Sequence, residues 1–215
     1  MRLTGFATGP FQTNCYVGVN EETKKAFVVD PGMGAYERVL QIVQEAEAEL
    51  EAVVLTHGHI DHTRDAGAFG LPTYIHPADQ YMLDGGRGLG DQTLALHDVA
   101  NMAPVEDIVD MPAVLDVAGI RLSTLHAPGH SPGCVMLVAQ LAEAGVVFSG
   151  DVLFRGSIGR TDFDHSDPDA MRESLRGPVW DLDDALHVLP GHGPTTTVAH
   201  ERATNPFLLQ ANAGR

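Results

Sequence analysis

The stretch Thr56-His57-Gly58-His59-Ile60-Asp61-His62 places three imidazoles and a carboxylate directly after the apolar run Ala52-Val53-Val54-Leu55. Imidazole nitrogens and carboxylate oxygens are the usual ligands of zinc-like divalent ions. On an extended segment residues i and i+2 share a face, so His57 and His59 converge on one ion, while Asp61 and His62 open the next turn toward a second. A lone histidine in a chain with 11 of them is more simply a surface or packed residue. Four ligand-type side chains at fixed spacing behind an apolar strand are not explained that way.

Each such ion takes about four or five ligands, so the cluster needs partners from further along the chain. Three positions share a context: a polar residue at the end of an apolar segment, beside Gly or Pro that turns the chain. They are His130 in Ala127-Pro128-Gly129-His130-Ser131, Asp151 in Phe148-Ser149-Gly150-Asp151, and His192 in Leu189-Pro190-Gly191-His192-Gly193. Layered α/β folds assemble their sites from loops at strand ends. With the cluster, these positions make a set of seven candidate ligands.

The elements that must carry them read as follows. Strands are expected at Leu3 to Ala7, Asn14 to Val19, Ala26 to Asp30 and Ala52 to Thr56, with a helix over Ala35 to Ala48 whose apolar residues fall at helical spacing. Thr73 to Ile75 is a short strand, a helix starts at Pro77, and the glycine-rich run Gly85 to Gly90 borders the site. Val114 to Leu125 and Val135 to Phe148 read as hairpins turning at Ala118-Gly119 and Ala142-Glu143-Ala144-Gly145. Ser166-Asp167-Pro168-Asp169 opens a helix through Leu175, Leu186 to Leu189 is a buried strand, and Val198 to Ala203 is the closing helix. The alternation indicates a layered α/β protein without a linker.

A formal charge of −16 and the lack of clustered Lys and Arg argue against a nucleic-acid partner. No apolar run reaches the length of a membrane span, and the N-terminus has no secretory pattern, so a cytoplasmic location is expected. Cys15 and Cys134 then read as reduced thiols in packed positions.

In this order, the blocks resemble the metallo-β-lactamase superfamily, whose HxHxDH signature is followed by His, Asp and His. Asp30-Pro31-Gly32 is similar to an Asp-containing turn found upstream in that family. The resemblance implies a four-layer αββα sandwich over one domain, residues 1–215, with two divalent metal ions, zinc foremost and iron or manganese as alternatives. One ion would take His57, His59 and His130; the other would take Asp61, His62 and His192, with Asp151 bridging. Asp30 and Thr56 are candidates to hydrogen-bond the ligands.

Within the superfamily, Gly156-Ser157-Ile158-Gly159-Arg160-Thr161-Asp162-Phe163, the segment Leu189 to Thr197, and Glu201 to Pro206 are similar to short glyoxalase II-like hydrolases. These cleave small-molecule thioesters such as S-lactoylglutathione with a metal-bridging hydroxide, which gives Asp61 and Asp151 catalytic roles. A thiol of pKa about 8.5 leaves without obligatory protonation, which suits a site with no evident general acid. The long form of that family adds a C-terminal helical domain for glutathione, and this chain ends soon after its last ligand, so the thiol carrier stays open. Arg160 is the candidate for gripping a substrate carboxylate.

Arg64 and Asp65 stand where such sequences usually carry glycines. They form either a local ion pair or part of the mouth, the structural role being favoured. The remaining histidines, His76, His97, His126, His165, His187 and His200, are assigned to packing or surface. The alternatives within the fold are a mononuclear-iron persulfide dioxygenase and a lactonase. The retained His192 in Gly191-His192-Gly193-Pro194 favours the hydrolase over the dioxygenase, and the retained Asp151 counts against a secreted lactamase.

Overall fold

A computed structural model describes residues 1–85, 90–140 and 145–214. The interior of the expected Gly85 to Gly90 loop and most of the expected Ala142 to Gly145 turn lie outside the described residues.

Apolar residues alternate along most of the long strands, and the two faces go to different cores. The first sheet has the order β1 (Arg2–Thr8), β2 (Thr13–Asn20), β3 (Lys25–Val29), β4 (Glu49–Val54), β5 (Thr73–Ile75), β6 (Ile108–Asp110). Its first three strands form an antiparallel meander and the rest run parallel, with helix α1 (Ala35–Glu45) crossing between β3 and β4. The second sheet holds β7 (Val114–Val117), β8 (Ile120–His126), β9 (Val135–Gln140), β10 (Gly145–Gly150), β11 (His187–Pro190) and β12 (Thr196–Thr197) in sequential order. Among the described residues only its β10–β11 pairing is parallel.

Tyr16, Phe27, Val29 and Val54 of the first sheet meet Leu122, Leu137, Phe148 and Leu189 of the second. The intervening Cys15, Val17, Val28 and Val53 point the other way and pack on Val39, Ile42 and Val43 of α1. On the far side Met136, Val147 and Val188 pack against α4 (Pro168–Arg176), α5 (Val198–Thr204) and α6 (Pro206–Ala211). A strand period of two thus sorts side chains into three cores and generates four layers, the expected αββα sandwich.

The helix ends follow local chemistry. The Asp167 carboxylate accepts from the amides of Asp169 and Ala170 with Pro168 in the first turn of α4. Asn205 and Pro206 repeat the device for α6, so α5 is not the closing helix as expected. The expected helix at Pro77 is a 3-10 helix, Pro77–Leu83, and α1 stops at Glu45 because Glu47 takes a left-handed φ of 51°. Also absent from the sequence expectation were β6 and the short helix α3 (Asp91–Leu96). Cys15 and Cys134 are free and buried, as expected. Among the described residues no helix is long and apolar enough to cross a membrane.

Phe148 is fully buried and meets Tyr16 and Phe27 edge-on, at centroid distances of 5.5 and 6.3 Å. Phe148→Ala is expected to cost about 3–5 kcal/mol in urea unfolding. A cost near zero would mean that the two sheets do not depend on this contact.

Candidate metal centre

Four chain segments deliver the seven candidate side chains to one place. Beyond β4 the chain bends at Thr56 and His57, is extended at His59, and then turns into the single-turn helix α2 (Ile60–Thr63), which carries Asp61 and His62. His130 sits in the loop from β8 to β9, Asp151 directly follows β10, and His192 follows β11. Backbone hydrogen bonds join these ends: Val135 N–H to the Thr56 carbonyl at 2.9 Å, Gly191 N–H to that of Gly150 at 2.8 Å, and Asn14 N–H to that of Gly191 at 2.7 Å. Glycine at 191 has a steric cause, since a Cβ there would overlap Asp151 Oδ1 and crowd the His62 ring.

The seven groups converge as two triads with Asp151 between them. Ring nitrogens of His57, His59 and His130 lie within 4.8 Å of one another, and so do ligand atoms of Asp61, His62 and His192. His59 Nδ1 is 2.8 Å from His130 Nε2. In the second triad Asp61 Oδ2 lies 3.4 Å from His62 Nε2 and 3.2 Å from His192 Nε2. Asp151 reaches both, with Oδ1 3.4 Å from His62 Nε2 and Oδ2 3.4 Å from His130 Nε2 and 3.5 Å from His192 Nε2.

The outward nitrogen of every imidazole is held, which is how ligating histidines are oriented. His57 Nδ1 meets Thr56 Oγ1 at 3.1 Å, His62 Nδ1 meets Asp30 Oδ2 at 3.0 Å, and His130 Nδ1 meets the Arg160 carbonyl at 2.8 Å. His192 Nδ1 meets the Phe11 carbonyl at 3.2 Å, and His59 Nε2 meets His165 Nε2 at 2.7 Å. Inward, His57 Nε2, His62 Nε2 and Asp151 Oδ1 are buried without any hydrogen-bond partner. Orphaned buried polar atoms are costly, and a shared cation is the partner that suits imidazole and carboxylate lone pairs together.

Electrostatics divide the two triads. Burial, reinforced by the neighbouring imidazoles, pushes His57 well below the ordinary histidine range and His59 to about 3, so both are neutral, as ligands must be. Burial also opposes charge on His62, yet Asp61, Asp151 and Asp30 together raise its pKa. Burial would raise Asp61 and Asp151, but His62 and His192 hold both below the ordinary carboxylate range.

Asp30 takes the holding role foreseen for it: its carboxylate accepts from the Thr56 amide at 2.8 Å, the Thr56 hydroxyl at 2.6 Å and His62. Three other contributors escaped the sequence reading. The Thr13 hydroxyl donates to Asp61 Oδ2 at 2.7 Å. Asp79, fully buried, accepts from the amides of Gly58 and Gly133 and from the Ser131 hydroxyl, tying the His57 loop to the His130 loop. His165 is not a default packing or surface histidine, because it touches His59. Neither Asp79 nor His165 stands in a glycine-flanked turn, so no local signal marked them.

Arg160 lies at the rim of a cleft of about 390 Å³ that opens on His59, Asp61, His130, Asp151 and His192. Its guanidinium is engaged by Asp162 at 2.7 and 2.9 Å and lies 4.4 Å over the Phe163 ring. Phe11, Phe154, Ile158 and Phe163 form apolar walls. Arg64 does more than pair with Asp65: it donates to the carbonyls of His97, Asp98 and Asn101, while Asp65 accepts from the amides of Gly34 and Tyr36 at the start of α1. His97 packs edge-on to Phe11, so Arg64 braces a segment beside the cleft.

Residues 8–192 match the family model of the metallo-beta-lactamase superfamily. An uncharacterized protein of Mycobacterium tuberculosis is 39% identical, over 97% of this chain and 98% of its own. The hydroxyacylglutathione hydrolase GloC of Haemophilus influenzae is 34% identical, over 92% and 93%. Similar solved structures are the B3 metallo-beta-lactamase BLEG-1, at 34% identity and TM-score 0.80 over 96% of this chain and 99% of that one, and TTHA1623 in a di-iron-bound form, at 35% and 0.80 over 95% and 99%. The family match, the two sheets and the paired His/Asp triads agree, and the chain belongs to the metallo-beta-lactamase superfamily.

Proposed function

We propose that this protein is a binuclear metal-dependent hydrolase of small-molecule thioesters, similar to glyoxalase II, with the ligand sets His57, His59, His130 and Asp61, His62, His192 joined by Asp151. The observation that carries the reading is the pair of complete triads around Asp151, with its orphaned inward atoms. Divalent cations held by these residues would supply Lewis acidity, lowering the pKa of a bound water and polarising a substrate carbonyl. Around them the chain itself supplies orientation and exclusion of water. Thr13 fixes the Asp61 carboxylate, and Phe11, Phe154 and Phe163 enclose an acyl group on apolar walls.

Thioester chemistry fits the cleft's titratable groups. Among the described residues lining it, these are members of the triads, Asp151 and Arg160, and none is a free acid poised to protonate a leaving group. A thiolate needs no such acid, whereas an amide nitrogen does. Arg160 is placed to meet a substrate carboxylate at the rim on exchange of its Asp162 partner. His192 Nε2, 3.2 Å from Asp61, completes the second triad and so favours two metals over the single iron of a persulfide dioxygenase. The proposed cytoplasmic setting would supply acyl-thiol substrates.

The test is thiol release from several low-molecular-weight acyl thioesters by protein carrying two zinc equivalents. Release that depends on metal supports the reading; β-lactam or lactone opening alone, or oxygen uptake with a persulfide and one iron, overturns it. Asp151→Ala is expected to lower turnover by at least about a hundredfold and to leave fewer than two metals bound. Full activity in that variant would remove Asp151 from the centre.

Metal removal has a second signature. Burial opposes charge on His192, but the hydrogen bonds that its ring donates to Asp151 and Asp61 raise its pKa to about 9 in the metal-free protein. At pH 7 its proton is therefore held and must leave when a cation takes its place. Zinc addition to metal-stripped protein in weak buffer at pH 7 is expected to acidify the solution, and the release from His192 should vanish above about pH 9. Uptake without any proton release would contradict ligation by His192.

A further inference from the structure

The groups that hold the outward nitrogens of the five imidazoles differ in kind. Thr56 offers a hydroxyl, Asp30 a carboxylate, and Arg160 and Phe11 backbone carbonyls. For His59 the holder is another imidazole, that of His165.

His59 aims Nδ1 inward, 2.8 Å from His130 Nε2, and turns Nε2 outward, 2.7 Å from His165 Nε2. A neutral ring whose Nδ1 lone pair is free for a cation carries its proton on Nε2. That proton needs an acceptor, and His165 Nε2 is in place as one. The segment around His165 is itself docked on the loop that carries His130. The Ser166 hydroxyl donates to the His130 carbonyl at 2.7 Å, and Asp167 N–H donates to that of Gly129 at 2.8 Å. The His165 ring stacks on Phe163 at 7° with centroids 5.4 Å apart, and Phe163 in turn presents its edge geometry to His59 at 5.2 Å. These contacts determine where the His165 acceptor lies and in which plane.

We propose that His165 is a positioning residue of the three-histidine centre: it accepts the Nε2 proton of His59 and so fixes the tautomer and ring plane that His59 offers to a divalent cation. The proposal rests on the metal ligands assigned under the proposed function. It concerns the site formed by His57, His59 and His130, and leaves the site of Asp61, His62 and His192 untouched.

The full-length protein, stripped of metal, is titrated with zinc against a chromophoric chelator, and in parallel with cobalt followed by its visible absorption. Two variants separate hydrogen bonding from space filling: His165→Phe keeps a ring against Phe163 without an acceptor, and His165→Gln keeps an acceptor oxygen. His165→Phe is expected to weaken one of the two zinc equivalents by about 10–100-fold and to shift the cobalt bands of that equivalent. His165→Gln is expected to restore affinity and bands toward the wild type. The equivalent held by the second triad stays unchanged and reports that the variants are folded. Wild-type affinity for both equivalents in His165→Phe would overturn the proposal, as would equal weakening in both variants or a joint fall of both equivalents. Wild-type protein that takes up no cation would overturn the ligand assignment along with it. Thioester turnover is not the readout, so a failure of the substrate reading does not alter the result.

Discussion

Five imidazoles and two carboxylates share a space at the ends of two sheets from which most water is excluded, and each lone pair or proton left unpaired there carries a desolvation cost of kilocalories per mole. Asp30 is where that cost is met most directly. Almost wholly buried, it accepts from the Thr56 amide, the Thr56 hydroxyl and His62, so one carboxylate orients the strand end and a ring of the second triad. The Thr56 hydroxyl, its proton given to Asp30, is then free to accept from His57. Asp30 reaches this position through a left-handed φ of 51°, a backbone state that side-chain-bearing residues adopt only where surroundings enforce it.

Those surroundings are the two sheets. Alternating residues of β2, β3 and β4 feed the central core and the α1 core in turn, which leaves little freedom for register slippage and so places His57 at the same height in every molecule. The second sheet does the same for Asp151, three residues beyond fully buried Phe148. Asp79 ties the His57 and His130 loops together with three accepted hydrogen bonds, adding to the direct contact between His59 and His130.

The resulting site is asymmetric. The His57, His59 and His130 triad is neutral on its His57 and His59 members, while the second triad is rich in opposite charges, with His62 and His192 facing Asp61 and Asp151. Two cations in such surroundings would meet different ligand fields, one of imidazoles and one of mixed imidazole and carboxylate, with Asp151 shared. The cleft beyond them is apolar on its walls, and its cationic residue Arg160 is already paired with Asp162. The cleft therefore presents more aromatic surface than free charge.

Most of the long strands, helices α1 and α4, and the identities of the seven clustered side chains were legible in the sequence because they depend on local periodicity and on glycine or proline turns beside a polar residue. Helix α6 carries its cap in Asn205-Pro206, whereas Glu47 ends α1 early through a backbone state that propensity does not mark. Which nitrogen of each imidazole faces inward was not legible, because the group that holds the other nitrogen is often remote: Arg160 for His130, Phe11 for His192, His165 for His59. Asp79 and Thr13 joined the site for the same reason, each meeting its partners across 20 residues or more. The sequence by itself determined which chemistry could be assembled, since ligand type and strand period are properties of short segments. Only the tertiary structure decided how each ligand is held, since a hydrogen bond between distant residues exists only once the two sheets have packed and brought its donor and acceptor together.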